Sequence, residues 1–245
     1  PYFLLSAGHS YKKMDIRQTF GLEDAFVIGD SGGFQIATGV IPWDINTDKE
    51  VVRRDIFKWL EVNSDVAMNL DIPPKIKFEG KFRECLDFSY DNFKYFNEKQ
   101  TGKTKYLNVI QGSNFDAYNT WYQKVKGFEF NGWAIGGGTN IIKFFSGLAV
   151  LIKNKEHLKN NVEFLHLLGV SSVTYMFILS QLQKSLIDVG SNLQLMTDSS
   201  TPNIMSKYGA YITGWDLKKL VIRDVHLPRL ETVNELEYTM PLPQL

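Results

Sequence analysis

Val27-Ile28-Gly29-Asp30-Ser31-Gly32-Gly33-Phe34-Gln35 is the stretch that decides the fold, because its apolar run leads a carboxylate into a glycine-rich turn. The pattern is typical of a buried strand that ends in a functional site. Two adjacent glycines let a ligand approach the backbone closely and permit the positive φ angles that tight turns need. The alternative is an ordinary turn in which Asp30 hydrogen-bonds its own backbone. The remainder of the chain repeats the arrangement, which favours the functional site.

Predicted strands and helices alternate along the chain. Short apolar segments predict eight strands that end near residues 7, 30, 71, 111, 136, 169, 198 and 213. Apolar residues at helical spacing predict helices over 48–62, 81–100, 140–158 and 172–189, and Asn114 is expected to cap another. A short helix is expected after Leu217, followed by irregular chain. Eight βα units predict a single-domain (β/α)8 TIM barrel over residues 1–245, and an open doubly wound sheet is the alternative.

Composition restricts the class of protein. The 27 basic and 27 acidic residues balance, so net charge neither favours nor excludes a polyanionic partner. The single cysteine, Cys85, excludes an intramolecular disulfide framework and a multi-cysteine zinc site, and we expect a buried, inert thiol. No apolar run approaches the ~20 residues of a membrane span and no signal-like segment opens the chain, which predicts a cytoplasmic protein. Because Pro1 rather than Met begins the sequence, we expect that N-terminal residues are missing or processed away.

Polar residues and glycines close most of the predicted strands. In a TIM barrel these residues converge at the C-terminal face. Any single Asp among them could instead be a turn former or helix cap. Carboxylates held near one another have separated pKa values, which suits one to act as nucleophile and another as acid/base, as retaining cleavage of a glycosidic bond requires. The residues concerned are Asp30, Asp71, Gln111, Gly136, Gly137, Gly169 and Asp198.

Five motifs, spread from about residue 25 to 200, resemble those of the queuine/archaeosine tRNA-guanine transglycosylase family. Members of that family are TIM barrels that exchange guanine in a nucleic acid for a 7-deazaguanine. The motif at residues 30–35 is similar to the family's DSGGFQ element, and this is a specific match. The other four are Asn69-Leu70-Asp71, Val109-Ile110-Gln111-Gly112, Ala134-Ile135-Gly136-Gly137-Gly138 and His166-Leu167-Leu168-Gly169-Val170.

The resemblance implies a role for each matched residue. Asp198 stands where the family has the nucleophile that attacks the sugar C1′ and forms a covalent glycosyl-enzyme, although the residues around it depart from the family consensus. Asp30 would be the general acid/base, and Phe34 and Leu168 would sandwich the base, with barrel core as their alternative. No ATP or redox cofactor is expected, and the incoming base would be a 7-deazaguanine such as preQ0. The remaining base-binding residues implied are Ser31, Asp71, Gln111, Gly136 and Gly137.

Departures from the family pattern suggest the polymer. The family's zinc site needs three cysteines and a histidine, so no zinc is expected here and His226 is predicted to be a surface residue. Ile72 stands where tRNA enzymes commonly carry a second acid. A compact, zinc-free chain resembles the phage and bacterial 7-deazaguanine DNA transglycosylases, so DNA is the expected substrate and tRNA the alternative. The expected location is then the cytoplasm of a bacterium, whether the gene belongs to the bacterium or to a phage.

Basic residues on two loops of the predicted active-site face could contact phosphates. One loop carries Lys12 and Lys13, and the other carries Lys75, Lys77, Lys81 and Arg83. A solvated basic surface is the alternative. The target nucleotide would have to be flipped out or single-stranded for its glycosidic carbon to reach the site.

Two further classes of protein stay open from the sequence. One is a non-catalytic transglycosylase-like subunit that binds a partner or nucleic acid, against which the presence of both Asp30 and Asp198 argues. The other is a nucleosidase or small-molecule ribosyltransferase, which would act on free nucleosides. A homodimer or a partner protein is compatible with all of these.

Overall fold

A computed structural model describes residues 2–13, 15–136, 141–170, 172–200, 205, 208–216, 218–219 and 221–226. Seven strands form one parallel sheet whose spatial order follows the chain. This confirms the predicted alternation of strands and helices up to residue 198. The strands are β1 (Tyr2–Ser6), β2 (Phe26–Asp30), β3 (Val66–Met68), β4 (Lys105–Ile110), β5 (Gly132–Ile135), β6 (Phe164–Leu167) and β7 (Gln194–Thr197).

Eight α-helices and two short 3-10 turns connect these strands within the described residues. The α-helices are α1 (Ala7–Ser10), α2 (Ile16–Thr19), α3 (Gly33–Thr38), α4 (Lys49–Asn63), α5 (Phe82–Lys99), α6 (Phe115–Val125), α7 (Ile141–Lys153) and α8 (Val173–Asp188); the 3-10 turns are Ile76–Phe78 and Glu156–Leu158. The prediction of one helix over 140–158 is too long, because Lys155 has a φ of 58°, which an α-helix of L-residues does not tolerate. Helices α1, α2 and α3 were not predicted, since each is too short to show an apolar repeat.

Helix starts follow the cap residues in the sequence. Asn114 accepts a hydrogen bond from the Ala117 N–H at 2.9 Å, which confirms its predicted role at the start of α6. Ser172 does the same for α8 through the Tyr175 N–H at 3.3 Å. Both helices therefore begin directly after the loops that leave the C-terminal ends of β4 and β6.

The sheet is strongly curled. Phe26 on β2 and Phe164 on β6 are four strands apart in the sheet, yet their ring centroids lie 6.4 Å from each other. In a flat sheet, four steps between neighbouring strands would separate them by roughly 19 Å. The parallel sheet is therefore bent into a half-barrel around a common centre.

Helices cover the sheet on the side away from this centre. The helices α4, α6, α7 and α8 contact β2, β4, β5 and β7 respectively. Trp59 of α4, Phe93 and Phe96 of α5 and Trp121 of α6 are fully buried at this layer. The packed layer holds the strand ends in fixed positions, as a site built from several strands requires. No helix in the described part of the chain has the length and apolar character needed to cross a membrane.

The predicted eighth barrel strand at 210–213 is wrong. These residues do form a strand, β8 (Ala210–Asp216), but it pairs antiparallel with β9 (Val221–His226) in a separate two-stranded sheet. The helix expected after Leu217 is also wrong over 221–226. The cause is the turn between the strands, where Asp216 accepts hydrogen bonds from the N–H groups of Lys218 and Lys219, both at 3.1 Å, and so reverses the chain.

Candidate functional site

The C-terminal ends of the strands surround a cavity of about 450 Å³. This volume is within the range of small-molecule sites. Residues from the ends of six strands line the cavity, as the sequence predicted for a convergent site. They include Asp30 after β2, Asp71 after β3, Gln111 after β4, Gly136 after β5, Leu168 after β6 and Asp198 after β7.

Asp30 is bound by groups on both sides of it. The Ser6 hydroxyl, at the end of β1, donates to Asp30 Oδ2 at 2.6 Å, and the Gly32 N–H donates to Oδ1 at 3.2 Å. The second bond is the backbone turn that was the alternative interpretation, so Asp30 forms the turn and faces the cavity at once. Loss of surrounding water raises the pKa of Asp30 and outweighs these two bonds, while the nearby charge of Asp198 raises it further.

Asp71 and Gln111 form a buried pair at the side of the cavity. Gln111 Nε2 donates to Asp71 Oδ2 at 2.7 Å. Burial raises the pKa of Asp71 to about 7, against the hydrogen bond from Gln111, and Asp30 adds to the rise. Gln111 Oε1 is buried and has no hydrogen-bond partner among the described residues. The pair therefore presents one carboxyl group and one free carbonyl acceptor.

Two glycines permit this arrangement because no side chain fits in their place. A Cβ at Gly33 would lie 2.3 Å from the Asp71 carbonyl oxygen, and a Cβ at Gly136 would lie 2.2 Å from Gln111 Nε2. The sequence predicted that a ligand would approach the backbone closely at Gly32-Gly33. At Gly33 the close approach is instead made by another part of the chain, the Asp71 carbonyl after β3. Gly32 has a φ of 85°, the left-handed conformation that glycine adopts readily. Gly137 lies outside the described residues.

Asp198 is held by two donors that both reach Oδ1. The Gly169 N–H donates at 2.8 Å, and His166 Nε2 lies at 3.0 Å. A carboxylate only accepts hydrogen bonds, so Nε2 carries the proton in this pair. Burial alone would raise the pKa of Asp198, but the bonds from His166 and Gly169 prevail and lower it. Asp198 is thus the ionised carboxylate of the site, with Oδ2 not engaged by these two bonds.

The residues expected to sandwich a base differ in their surroundings. Phe34 is 55% exposed, so the barrel-core alternative does not apply to it, and its ring stands at the cavity. Leu168 is half-buried, lines the same cavity and packs on the core. Ser31 is buried behind the site, where its hydroxyl donates to the Asn69 carbonyl at 3.2 Å, and it is not among the residues that line the cavity.

The four basic residues expected after β3 differ in their surroundings. Lys75 lines the cavity. Lys77 Nζ lies against Gly39 of the loop after α3, and Lys81 is ion-paired with Glu84 at 3.8 Å. Arg83 is exposed, as are Lys12 and Lys13.

Sequence reasoning missed Gln35 and His166. Gln35 lines the cavity and has a buried Oε1 without a hydrogen-bond partner in the described part of the chain. It belongs to the opening motif, where it was quoted without a role. His166 is fully buried. The sequence did contain a signal for His166. Side chains two residues apart on a strand share a face, and Leu168, two residues after His166, was already assigned to the site.

Other predicted features lie away from this cavity. Cys85 is fully buried, and burial raises the pKa of its thiol to about 12, which confirms an inert group. His226 is exposed on β9 beside Asp224, as predicted for a surface residue. Among the described residues, no group of three or more His, Cys, Asp or Glu side chains is placed to hold a metal ion.

Comparison of the chain with protein-family models and with curated proteins finds no match. The functional assignment therefore depends on the geometry and electrostatics of this cavity, together with the motif resemblance described above. Asp30, Asp71 and Asp198 share this cavity, where the pKa values of Asp30 and Asp71 are raised and that of Asp198 is lowered.

Proposed function

We propose that this chain is a nucleic-acid guanine transglycosylase that exchanges guanine in DNA for a 7-deazaguanine through a covalent glycosyl-Asp198 intermediate. The observation that carries the proposal is the placement of Asp198 and Asp30 in one cavity, where each carboxyl group is held by its own pair of hydrogen-bond donors. A nucleophile must be ionised and a general acid must hold its proton, and the lowered pKa of Asp198 and the raised pKa of Asp30 shift the two groups in those directions.

The first chemical step uses both groups. An Asp198 carboxylate oxygen attacks C1′ of the target nucleotide, and the bond from C1′ to the base nitrogen breaks. The electron pair of that bond goes to the departing guanine, which takes a proton from Asp30. In the reverse sense, the incoming base gives its ring N–H proton to Asp30 and displaces Asp198 from C1′, which restores both carboxyl groups and needs no cofactor.

The acceptors of the cavity suit the edge of guanine. Gln35 Oε1 and Gln111 Oε1 are buried without partners among the described residues, and Asp71 supplies carboxyl oxygens beside Gln111. Buried acceptors without a donor are unfavourable, so a ligand rich in N–H groups is the one that satisfies them. Guanine and 7-deazaguanine present a ring N–H and an exocyclic amino group, and the exposed ring of Phe34 can stack on either base.

The proposal includes a TIM-type barrel around this site. Closure of the barrel is supported by the two edge strands, because residues of β1 and residues at the end of β7 line a common cavity of about 430 Å³. The edges of the curled sheet thus face each other, with Asp198 at the border.

The experiment is base exchange with radiolabelled guanine, offered in parallel to duplex DNA, single-stranded DNA and unmodified tRNA. We expect label in DNA with the wild type and none with Asp198→Asn or Asp30→Asn, both of which preserve side-chain shape. Asp91→Asn, an exposed carboxylate on α5, is the matched control and should exchange normally. Label in tRNA alone would retain the mechanism and change the polymer. Activity that survives in Asp198→Asn would disprove the assigned nucleophile, and no label in any polymer would favour a non-catalytic subunit.

A further inference from the structure

A second cavity, of about 210 Å³, adjoins the candidate site. Lys75 and Gln111 line both cavities. Gln111 directs its amide N–H to Asp71, so it forms part of the partition between the two spaces. The second cavity also contains Ser113, from the loop after β4, and Lys143, from the first turn of α7. It is therefore an extension of the site beyond the Asp71–Gln111 pair.

Two ammonium groups, those of Lys75 and Lys143, face this extension. Lys75 and Lys143 are both half-buried, and among the described residues neither has a carboxylate within ion-pair distance. Lys105, another half-buried lysine, is paired with Glu163. Burial lowers the pKa of Lys75, and the charge of Lys143 lowers it further, although Asp71 opposes both. Asp71 cannot neutralise the pair fully, because its own pKa is raised to about 7.

We propose that Lys75 and Lys143 form a subsite for an oxyanion, a carboxylate or a phosphate, continuous with the nucleobase pocket. Desolvated cations bind such groups through charge-assisted hydrogen bonds, and the Ser113 hydroxyl is an additional donor at the same cavity. A phosphate or carboxylate group is small enough for the available volume. Bound there, it removes the repulsion between the two ammonium groups.

The position of the subsite indicates where the oxyanion comes from, and this step depends on the proposed function. In the proposed reaction, the sugar carbon lies at Asp198, after β7. The edge of the base farthest from the sugar lies at Asp71 and Gln111, which follow β3 and β4. The second cavity lies beyond that far edge, away from the sugar. This placement favours an acidic substituent on the incoming 7-deazaguanine over a backbone phosphate, which would have to come from a neighbouring nucleotide lying across the loops.

The test measures binding directly, so that it does not depend on exchange activity. Calorimetric titrations of 7-carboxy-7-deazaguanine and 7-aminomethyl-7-deazaguanine are made with the wild type, Lys143→Met and Lys75→Met. Lys153→Met, an exposed lysine at the other end of α7, is the control. We expect each subsite variant to weaken the carboxylated base at least about tenfold, with no loss for the aminomethyl base and no effect in the control. Thermal melts check that every variant is folded.

A second arm separates the two sources of the oxyanion. Fluorescence anisotropy follows the binding of a labelled DNA oligonucleotide as a function of KCl concentration. If the ligand is a phosphate, the subsite variants lose DNA affinity, the salt slope falls by about one, and the two bases are bound as by the wild type. Variants that match Lys153→Met in both arms would overturn the subsite. If neither base binds even the wild type, the nucleobase pocket itself is wrong, and the oligonucleotide arm alone then decides whether the lysines bind phosphate.

Discussion

Replacing Asp71 by Asn tests the electrostatics of the site through protein stability. Asn keeps the shape of the side chain and an oxygen that accepts from Gln111 Nε2, but it cannot ionise. The side chain is 6% exposed, so its environment is dominated by the protein. Any effect of pH on the difference between the two proteins therefore reports the ionisation of this carboxyl group together with its coupling to Asp30 and Lys75.

The magnitude follows from the pKa. Burial raises the pKa of Asp71 from 3.8 to about 7 in the folded protein, so the folded state holds this proton more tightly than the unfolded chain does. About three pKa units at about 1.4 kcal/mol each correspond to roughly 4 kcal/mol. This stabilisation of the folded wild type, which comes from the proton on Asp71, is fully present below about pH 4 and is lost as the pH rises through about 7. We expect Asp71→Asn to gain stability relative to the wild type by up to that amount between pH 4 and pH 8.

Urea denaturation of both proteins, at half-unit steps from pH 4.5 to pH 8.5, measures the difference. Asp91→Asn is the control, and its difference from the wild type should stay constant, because the carboxylate it removes is exposed on α5. A constant difference for Asp71→Asn would refute the raised pKa. A variant that becomes relatively less stable as the pH rises would show that Asp71 is ionised and stabilised in the folded state, which is the opposite of our reasoning.

Two further predictions concern other buried contacts. His166→Phe fills the same space without the donor to Asp198, so we expect kcat for base exchange to fall about 10- to 100-fold with KM little changed. His166→Gln can place an N–H near Asp198 Oδ1 and should recover part of the lost kcat. An unchanged pH profile of kcat in His166→Phe would contradict this role of His166. Glu156 accepts hydrogen bonds from Tyr122 (2.5 Å), Trp133 (3.0 Å) and Lys159 (2.6 Å). Glu156→Ala should therefore lower the free energy of unfolding, measured by urea denaturation, by roughly 2–4 kcal/mol. A loss below about 1 kcal/mol would show that the freed donors find other partners.

Local patterns predicted the parts of the structure that local physics controls. The strands β2 and β4 are apolar runs that end at Asp30 and just before Gln111, and both features are visible in a few consecutive residues. Because parallel strands must share a direction, their ends had to meet at one face, and the site carboxylates could be identified without coordinates. The cap at Asn114 is equally local.

Contacts between distant segments set the features that the sequence did not reveal. Residues 210–213, apolar enough for a barrel strand, are the exception, because the nearby turn at Asp216 rather than a distant contact pairs them with β9. Lys143 follows Lys75 by 68 positions, and only the packing of α7 beside the loop after β3 brings them to one cavity. Pairing of Arg17 with Asp65 at 3.1 Å is similarly non-local.

The pKa values of Asp30 and Asp198 shift in opposite directions because the neighbouring strands supply different hydrogen-bond donors to each. Both carboxyl groups lie at strand ends in one cavity, and loss of water acts on both in the same direction. Asp30 receives one hydroxyl, from Ser6, and one distant N–H, from Gly32, which do not compensate for that loss. Asp198 accepts hydrogen bonds from His166 Nε2 and, over a shorter distance, from the Gly169 N–H, and these two bonds do compensate for the loss of water. The difference between the two pKa shifts is therefore set by β6 and the turn after it, which supply His166 and Gly169 to Asp198, and removing His166 should bring the two pKa values closer together.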